Sequence, residues 1–326
     1  MRAAFYERYG PAGEVLIVGD LPDLEPGPGE ARVRMAASAV NPSDVKARAG
    51  SRGAMEWPRI VPHSDGAGTI DAVGPGVPAE RVGERVWVYE AQWRRPWGTA
   101  AESTVVPAER AVPLPAGTTF TEGACLGIPA MTAHRGVFAD GPVAGKTVLV
   151  RGGTGRVGHY AVQLAKWGGA TVIATAGSEE KQRAVEKLGA DHALNHRDGA
   201  VTEAVLDLTG GAGVDRIVEV DPVANLDADA ALLTGNGTVV IYATTAGTLP
   251  SCPVYALMLK NAGLRFVLVY DMPEPAKRAA IDDLTGLLEA LTLRHQVGLS
   301  VPLERVVDAH RAIEDGDVVG CVVVTV

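Results

Sequence analysis

The spacing of apolar residues changes along the chain and separates two kinds of segment. From about residue 121, short β-branched apolar runs alternate with stretches in which apolar residues recur every three or four positions. The runs cover 147–150, 170–176, 214–220 and 237–242. Runs of this kind are typical of parallel strands buried on both faces, and the stretches between them of amphipathic helices. The sequence therefore predicts right-handed βαβ units and one doubly wound parallel sheet, an α/β fold.

The first 120 residues show a different pattern. Polar and apolar residues alternate at 30–36, 68–73 and 83–88, with Pro/Gly turns between them, which predicts a compact β-rich lobe. A helix over 122–138 is expected to lead into the parallel sheet, and another covers about 275–292. The last strand, 320–326, is expected to return to the β-rich lobe. We therefore divide the chain at 1–120, 121–262 and 263–326.

Three glycines follow the first apolar run in the spacing G-x-G-x-x-G. They are Gly153, Gly155 and Gly158, directly preceded by Gly152, and a helical pattern comes next. Glycine lets the chain turn sharply and lets backbone N–H groups approach a pyrophosphate at the positive end of a helix. The alternative is a turn with a structural role alone. Strand, glycine turn and helix in this order favour a Rossmann dinucleotide site.

The end of the next strand indicates which dinucleotide binds. Sites that prefer NAD usually carry an Asp or Glu there, about 20 residues past the glycines, to hold the ribose hydroxyls. Here the strand ends at Ala176 and Gly177, and the next carboxylates begin the following helix. Ser178 and Lys181 supply a hydroxyl and a charge that suit a 2′-phosphate, and Ser178 is also a helix N-cap residue. The sequence therefore favours NADPH over NADH.

Charge and cysteine content exclude several classes of protein. The net charge of −9 argues against nucleic-acid binding, which needs a basic surface. Cys125, Cys252 and Cys321 are far apart and include no C-x-x-C pair, so neither a disulfide framework nor a zinc knuckle is expected. No apolar run reaches membrane-spanning length, and the first residues lack the apolar core of a signal peptide. We expect a soluble, cytoplasmic protein.

Several short motifs occur together along nearly the whole chain. They are AVNPSD at 39–44, HSDGAG at 63–68, GIPAMTA at 127–133, GGTGRVG at 152–158, ATAGS at 174–178 and NHR at 195–197. In this combination the sequence resembles the medium-chain dehydrogenase/reductase superfamily and, within it, the NADPH:quinone oxidoreductase (zeta-crystallin-like) branch. The resemblance implies a GroES-like catalytic domain, a Rossmann domain and a nicotinamide bound in the cleft between them.

The resemblance also implies which residues bind the cofactor. They are Asn41 and Thr132 at the nicotinamide; Gly155, Arg156 and Val157 at the pyrophosphate, in the turn formed with Gly152, Gly153 and Gly158; Ser178, Lys181 and His196 around the 2′-phosphate; Tyr242, Ala243 and Thr244 on the other flank; and Val267 and Val269 farther along. Two of them have structural alternatives. Asn41 also starts a turn sequence, and the Thr132 hydroxyl could bond to its own helix.

The same comparison implies an enzyme without metal. Zinc-dependent relatives place a Cys where this chain has Asn41, a His–Glu pair where it has Ser64 and Asp65, and another Cys near Ile128. Zinc needs Cys or neutral His ligands, which these residues do not supply. His63 is expected to be a hydrogen-bonded residue and not a ligand.

The expected reaction is hydride transfer from NADPH to an electrophilic small-molecule acceptor, a quinone or another conjugated carbonyl. Enone or enoyl reduction, and NADPH binding with little turnover, stay open as alternatives. Asn41, Lys46, Tyr89 and Thr132 are the predicted catalytic residues. Lys46, Tyr89 and Tyr6 are candidate hydrogen-bond donors to the acceptor.

Three further features bear on the acceptor and on assembly. Many relatives carry tyrosines at positions that correspond to the surroundings of Lys46 and Arg52, so a more cationic acceptor pocket is expected here. Segment 92–97 (QWRRPW) suits a flat or anionic ligand, or is a surface loop. Segment 264–270 is apolar and falls at or near the sheet edge. Pairing in a homodimer would cover that edge, unless the helix at 275–292 does so.

Overall fold

The structure is a computed structural model that describes residues 1–51, 53–244, 251–316 and 318–326. It contains two compact units, one formed by 1–128 with 281–326 and the other by 129–280. The first unit is β-rich, and the second is built on a parallel sheet, so the predicted fold class is confirmed. The three-segment division at residues 120 and 262 stays a prediction.

The strands of the described residues are β1 Arg2–Phe5, β2 Ile17–Asp20, β3 Glu30–Val40, β4 Asp65–Val73, β5 Arg85–Val88, β6 Ser103–Pro107, β7 Ala111–Pro113, β8 Thr147–Val150, β9 Thr171–Ala176, β10 His192–Asn195, β11 Val214–Glu219, β12 Leu233–Ile241, β13 Gly263–Phe266, β14 Val297–Pro302 and β15 Cys321–Thr325. The α-helices are α1 Ala12–Val15, α2 Pro42–Arg48, α3 Phe120–Gly123, α4 Met131–Phe138, α5 Arg156–Trp167, α6 Glu179–Lys187, α7 Val201–Leu208, α8 Pro222–Leu232, α9 Val254–Leu259, α10 Glu274–Glu289 and α11 Val306–Asp315. None of the helices in these ranges is long and apolar enough to cross a membrane.

The sheet of the second unit has the strand order β10-β9-β8-β11-β12-β13. All five neighbouring pairs are parallel. The chain begins in the middle with β8, adds β9 and β10 on one side, and then adds β11, β12 and β13 on the other. This is the doubly wound order of a dinucleotide-binding sheet. Leu149, Ile173 and Ile217 are buried in its core, which explains the continuous apolar runs.

The main sheet of the first unit has the order β14-β15-β3-β4-β5-β7, and β6 also pairs with β3. β15 is antiparallel to β3 and parallel to β14, which confirms the predicted return of the last strand. Val322, Val323 and Val324 are fully buried because β15 is an interior strand. This strand joins residues 281–326 to the N-terminal part of the unit.

The single helix predicted over 122–138 is wrong. Thr119 caps the short helix α3 through a capping box with Glu122, a π-helical segment covers Leu126–Ala130, and α4 begins at Met131. Pro129 lacks the N–H that a continuous α-helix needs. A Cβ on Gly127 would lie 2.1 Å from Asp65 Oδ1, so the chain bends around a buried carboxyl group at this point.

The apolar segment after β12 is a shorter strand than predicted. β13 ends at Phe266, and the chain continues into a 3-10 turn at Val269–Asp271. β13 is nevertheless the last strand of its sheet, so the predicted edge position is confirmed.

Candidate functional site

The glycine turn joins β8 to α5 at the carboxyl end of the parallel sheet. Gly152 has φ +66°, in the left-handed region that favours glycine. A Cβ on Gly158 would lie 2.1 Å from the Gly152 carbonyl oxygen, so only glycine lets α5 pass this close to the turn. Gly155 is the N-cap of α5, and its carbonyl accepts from the His159 N–H at 2.8 Å. The first N–H groups of α5 therefore lie where an anion can bind.

The turn also lies at the point where the strand order reverses. β8 stands between β9 and β11, and the chain leaves β8 toward one side and returns on the other. In open parallel sheets, ligands bind in the crevice outside the carboxyl ends of the two strands at this point. The Arg151 N–H donates to the Val218 carbonyl at 3.0 Å, which fixes the turn to the end of β11. We therefore place the candidate dinucleotide site at the ends of β8 and β11.

Basic side chains gather where β9 and β10 end. Ser178 is the N-cap of α6, and its Oγ accepts from the Lys181 N–H at 3.3 Å. A Cβ on Gly177 would lie 3.1 Å from His196 Cε1 and 3.5 Å from Arg197 Nε, so both side chains lie against Gly177. Partial burial and neighbouring positive charges, Arg197 first, lower the pKa of His196. A group of positive charges at this position suits a phosphate.

Other predicted cofactor residues follow the neighbouring strands. Tyr242, Ala243 and Thr244 directly follow β12, and Val267 directly follows β13. The Tyr242 N–H donates to the Glu219 carbonyl at 3.2 Å, and the Val267 N–H donates to the Ile241 carbonyl at 2.9 Å. These residues therefore lie at the carboxyl ends of the strands, as the glycine turn does. Val269 is buried in the turn after β13, and Thr132 is buried in α4.

In the first unit, Asn41 and Ile128 meet at one buried carboxyl group. Asn41 Nδ2 and the Ile128 N–H both donate to Asp65 Oδ2, at 2.8 and 2.7 Å. Burial raises the pKa of Asp65 well above its usual range, and the charge of Asp44 acts in the same direction. Asp65 Oδ1 has no hydrogen-bond partner in the described part of the chain. Asn41, Asp65 and Ile128, three of the positions compared with zinc ligands, thus meet at one buried carboxyl group, which fixes the orientation of the Asn41 amide.

The candidate donors of the first unit lie in different surroundings. Lys46 is exposed on α2. Tyr89 is buried, and its hydroxyl donates to the Glu109 carbonyl at 3.5 Å. Tyr6 is also buried. Arg52 lies outside the described residues.

Segment 92–97 is held by its own side chains and by one strand. Arg95 pairs with Glu30 at 2.9 Å, and Gln92 Nε2 donates to the Arg95 carbonyl at 3.2 Å. Arg94 has φ +55° and is exposed, with its guanidinium 5.2 Å from the centre of the Trp93 ring. A ligand-binding role for this segment stays a prediction.

A chain of hydrogen-bonded side chains crosses the interior of the first unit. Thr99 Oγ1 donates to the Asp65 carbonyl at 2.6 Å. Ser38 Oγ lies 2.7 Å from Thr99 Oγ1 and 2.8 Å from His63 Nδ1. His63 Nε2 in turn lies 2.9 Å from His310 Nε2. His63 is therefore a hydrogen-bonded residue, as the sequence indicated, but its partner His310 was not foreseen.

The donor and the acceptor in each of these hydrogen bonds follow from the bond that Thr99 makes. Because the only hydroxyl proton of Thr99 goes to a carbonyl, Ser38 must donate to Thr99, and His63 Nδ1–H must donate to Ser38. His63 Nε2 then accepts from His310 Nε2–H, so the bonding pattern assigns His63 as neutral and places a proton on Nε2 of His310. Burial lowers the pKa of His63 to about 3 and the pKa of His310 well below its usual range, which agrees with neutral rings.

Three ionisable side chains are buried beside the glycine turn in the second unit. Arg151 donates through Nε and Nη2 to Asp229 Oδ1, at 3.1 and 2.7 Å. Arg151 Nε also lies 3.8 Å from Glu219 Oε2. Burial raises the pKa of Asp229 to about 8, a hydrogen bond to Glu219 acts in the same direction, and Arg151 opposes the shift. Sequence reasoning missed this cluster, although a charged residue between an apolar strand and a glycine turn was a signal.

A doubly wound dinucleotide-binding sheet, joined to a β-rich unit through the return of the last strand, defines a medium-chain dehydrogenase/reductase. Two family models agree: the alcohol dehydrogenase GroES-like domain matches residues 27–116, and the zinc-binding dehydrogenase family matches 157–286. The quinone oxidoreductase of Pongo abelii is 31% identical, over 97% of this chain and 94% of its own. The chain belongs to the quinone oxidoreductase family of this superfamily.

Other relatives with this fold are named for different reactions. The 2-haloacrylate reductase of Burkholderia sp. is 29% identical, over 99% of this chain and 98% of its own. Two solved structures cover the whole of both chains. An NAD-dependent alcohol dehydrogenase is 31% identical with a TM-score of 0.89, and a mycobacterial protein complexed with NADPH is 29% identical with a TM-score of 0.87.

Proposed function

We propose that the protein is an NADPH-dependent oxidoreductase that transfers hydride to a quinone or another conjugated carbonyl without zinc. The cofactor part is carried by one observation, the basic side chains at the end of a β9 strand that has no carboxylate there. The quinone part is supported by relatives of about 30% identity that are named quinone oxidoreductases. When bound, NADPH supplies the hydride, and the protein places the reactants. A cytoplasmic location, without nucleic-acid or membrane partners, is part of the proposal.

The residues of the second unit fit this cofactor. The turn of Gly152, Gly153, Gly155 and Gly158, with Arg156 and Val157, would bind the pyrophosphate through backbone N–H groups. Ser178, Lys181 and His196 would bind the 2′-phosphate. Tyr242, Ala243, Thr244, Val267 and Val269 are proposed along the other flank, and Asn41 and Thr132 at the nicotinamide.

Replacing Lys181 by Ala should weaken NADPH binding and leave NADH binding nearly unchanged. Losing one charge-assisted phosphate contact costs about 1.5–3 kcal/mol, or roughly 10- to 150-fold in Kd. Fluorescence titration with both cofactors measures this, with Lys187→Ala on the same helix as the control. Because one solved relative is named NAD-dependent, this measurement decides the cofactor. Equal losses for NADPH and NADH would refute the assignment.

On the acceptor side, we favour Lys46 over Tyr89 as the donor to the acceptor carbonyl. Lys46 is exposed, whereas the Tyr89 hydroxyl already donates to a backbone carbonyl. Lys46→Ala should lower kcat/KM for a quinone without changing the Kd of NADPH. The loss should correspond to about 1.5–3 kcal/mol of transition-state stabilisation, the value of one charged hydrogen bond. Tyr89→Phe is the control and should leave kcat/KM unchanged. The reverse result would transfer the donor role to Tyr89.

Zinc independence is proposed from the side chains at the ligand positions. Asn41, Ser64 and Ile128 offer neither a thiolate nor an imidazole. In the described ranges, no group of three or more His, Cys, Asp or Glu could hold a metal ion. Metal analysis of the purified protein should find no stoichiometric zinc, and chelators should leave its activity unchanged. One zinc per chain would overturn this part of the proposal.

A second candidate, reduction of an enone or enoyl compound, is favoured by the similarity to 2-haloacrylate reductase. The exposed cations Lys46 and Arg94 of the first unit would suit an anionic acceptor. NADPH oxidation with naphthoquinones and with small enones separates the two candidates. Tight NADPH binding without activity on either would instead support a protein that binds NADPH with little turnover.

We also propose a homodimer that forms at the edge of the parallel sheet. Phe266 of the edge strand β13 is 74% exposed, and Leu268 is exposed as well. Because the Val267 N–H points inward to Ile241, the alternation of a strand directs the N–H groups of Phe266 and Leu268 outward. A two-fold pairing covers such an edge. Light scattering should report two chains for the unmutated protein and one for Phe266→Asp; a single-chain mass for the unmutated protein would end the proposal.

A further inference from the structure

Arg151, Glu219 and Asp229 lie at the reversal of the strand order. Arg151 directly follows β8, and Glu219 is the last residue of β11. These two strands are neighbours at the reversal, where the proposed pyrophosphate site lies. Asp229 belongs to α8, the helix that follows β11. The cluster therefore connects one helix to both strands of the crevice.

The hydrogen bonds of the cluster favour a proton on one of the two carboxyl groups, which are hydrogen-bonded to each other. Glu219 Oε1 accepts from Asn225 Nδ2 at 3.2 Å and from the Asp221 N–H, and Asp229 Oδ1 accepts from Arg151. The other two oxygens, Glu219 Oε2 and Asp229 Oδ2, are buried, and no donor in the described residues reaches them. A proton shared between them satisfies both, since a protonated carboxyl donates and a carboxylate accepts. The cluster then carries no net charge.

The other charged groups around α8 do not compensate for the charge that the cluster would carry without this proton. Besides Glu219, the charged and titratable groups on the described elements that pack against α8 are Glu203 and Asp207 of α7, Asp215 and Arg216 of β11, the exposed Tyr255 of α9, Lys260 after α9 and Tyr242 after β12. Both groups of α7 are exposed. Lys260 Nζ donates to the Ala231 carbonyl at the C-terminal end of α8, and Asp215 accepts from the Thr147 N–H at the start of the strands. Burial, with the charge of Glu219, raises the pKa of Tyr242 and keeps its phenol neutral.

We propose that Arg151, Glu219 and Asp229 position the glycine turn for the cofactor pyrophosphate, and that they do so only while the two carboxyl groups share one proton. Loss of the proton leaves a buried negative charge beside the pyrophosphate, and repulsion in a region of low dielectric weakens binding. It also removes the hydrogen bond between α8 and the end of β11. The raised pKa of Asp229, about 8, places this loss in mildly alkaline solution. The inference rests on the proposed function, because it assumes a dinucleotide at this crevice.

The test is the Kd of NADPH, measured by fluorescence titration from about pH 7 to about pH 9.5, a range above the titration of phosphate and histidine and below that of lysine. In the unmutated protein, Kd should rise with pH and approach a tenfold increase per pH unit at the upper end. Asp229→Asn keeps a donor toward Glu219 and an acceptor toward Arg151, so its Kd should not depend on pH. Asp227→Asn removes an exposed carboxylate from the same helix and should behave like the unmutated protein.

Two results would overturn the inference: a constant Kd in the unmutated protein, or an unchanged pH dependence in Asp229→Asn. If that variant does not fold, Glu219→Gln supplies the same fixed neutral pair. The infrared band of a protonated carboxyl group gives a readout without cofactor. Because Asp65 also has a raised pKa, the relevant signal is the part of the band that the unmutated protein shows and Asp229→Asn lacks. This part should be present at about pH 7 and lost at about pH 9.5, and its absence at the lower pH also refutes the shared proton. A failure to bind NADPH at the lower pH, with the band present, would instead overturn the proposed function.

Discussion

Replacing His310 by Gln should change how the stability of the protein depends on pH. Both imidazoles of the His63–His310 pair are neutral and buried, with the pKa of His63 lowered to about 3 and that of His310 well below its usual range. In the unfolded chain, histidine binds a proton with a pKa of about 6.5. Below that pH the unfolded state therefore binds more protons than the folded state, and acid lowers the free energy of unfolding.

The size of the effect follows from one proton. For a histidine that stays neutral in the folded state, linkage removes about 1.4 kcal/mol of unfolding free energy between about pH 7.5 and about pH 5.5. Gln can donate to His63 but does not titrate, so the stability advantage of the unmutated protein over the variant should shrink by that amount. The difference between the proteins is the relevant quantity, because Asp65 and Asp229, whose pKa values are raised, change the stability of both in the opposite direction.

Urea denaturation at several pH values measures these free energies. His192→Gln is the control, since it makes the same substitution at a histidine that is only partly buried, on β10. A stability difference that stays constant with pH for His310→Gln would refute the reasoning. It would mean that His310 is protonated or solvated in the folded protein.

Two further predictions concern close contacts. Gly158→Ala should lower the free energy of unfolding by about 1–3 kcal/mol and raise the Kd of NADPH, because its Cβ would lie 2.1 Å from the Gly152 carbonyl oxygen; denaturation and fluorescence titration measure the two effects. Asp65→Asn should be nearly neutral for stability, whereas Asp65→Ala should cost about 1–3 kcal/mol by leaving Asn41 without its acceptor. A large loss with Asn would show that Asp65 is ionised.

Much of the parallel sheet could be predicted because its strands are buried on both faces. The predicted run 147–150 coincides with β8, and 170–176 differs from β9 by one residue. The prediction was less accurate where long-range contacts decide the boundary. β12 was expected from residue 237 but begins at Leu233, which directly follows α8 and pairs with Val214 of β11. The segment 233–236 has no local pattern that announces this pairing.

The candidate site likewise contains parts that could be predicted from the sequence and parts that could not. The glycine turn and the Ser178–Lys181 cap could be predicted because their residues are close in sequence and act through the backbone. The His63–His310 and Arg151–Asp229 contacts could not, because the partners are 247 and 78 residues apart. A buried polar side chain is stable only with its partner, and no local pattern names a partner at that distance.

The return of β15 to the β-rich sheet has a consequence for synthesis of the chain. Residues 129–280 form one unit, whereas the other needs both 1–128 and 281–326. A chain made from its N-terminus thus completes the parallel sheet a few seconds before β15 leaves the ribosome, at about 5–20 residues per second. Until Val322 to Val324 arrive, β3 and β14 lack the strand between them. The nascent chain therefore carries a finished parallel-sheet unit together with an open apolar sheet, and termination before Cys321 would leave it in that aggregation-prone state.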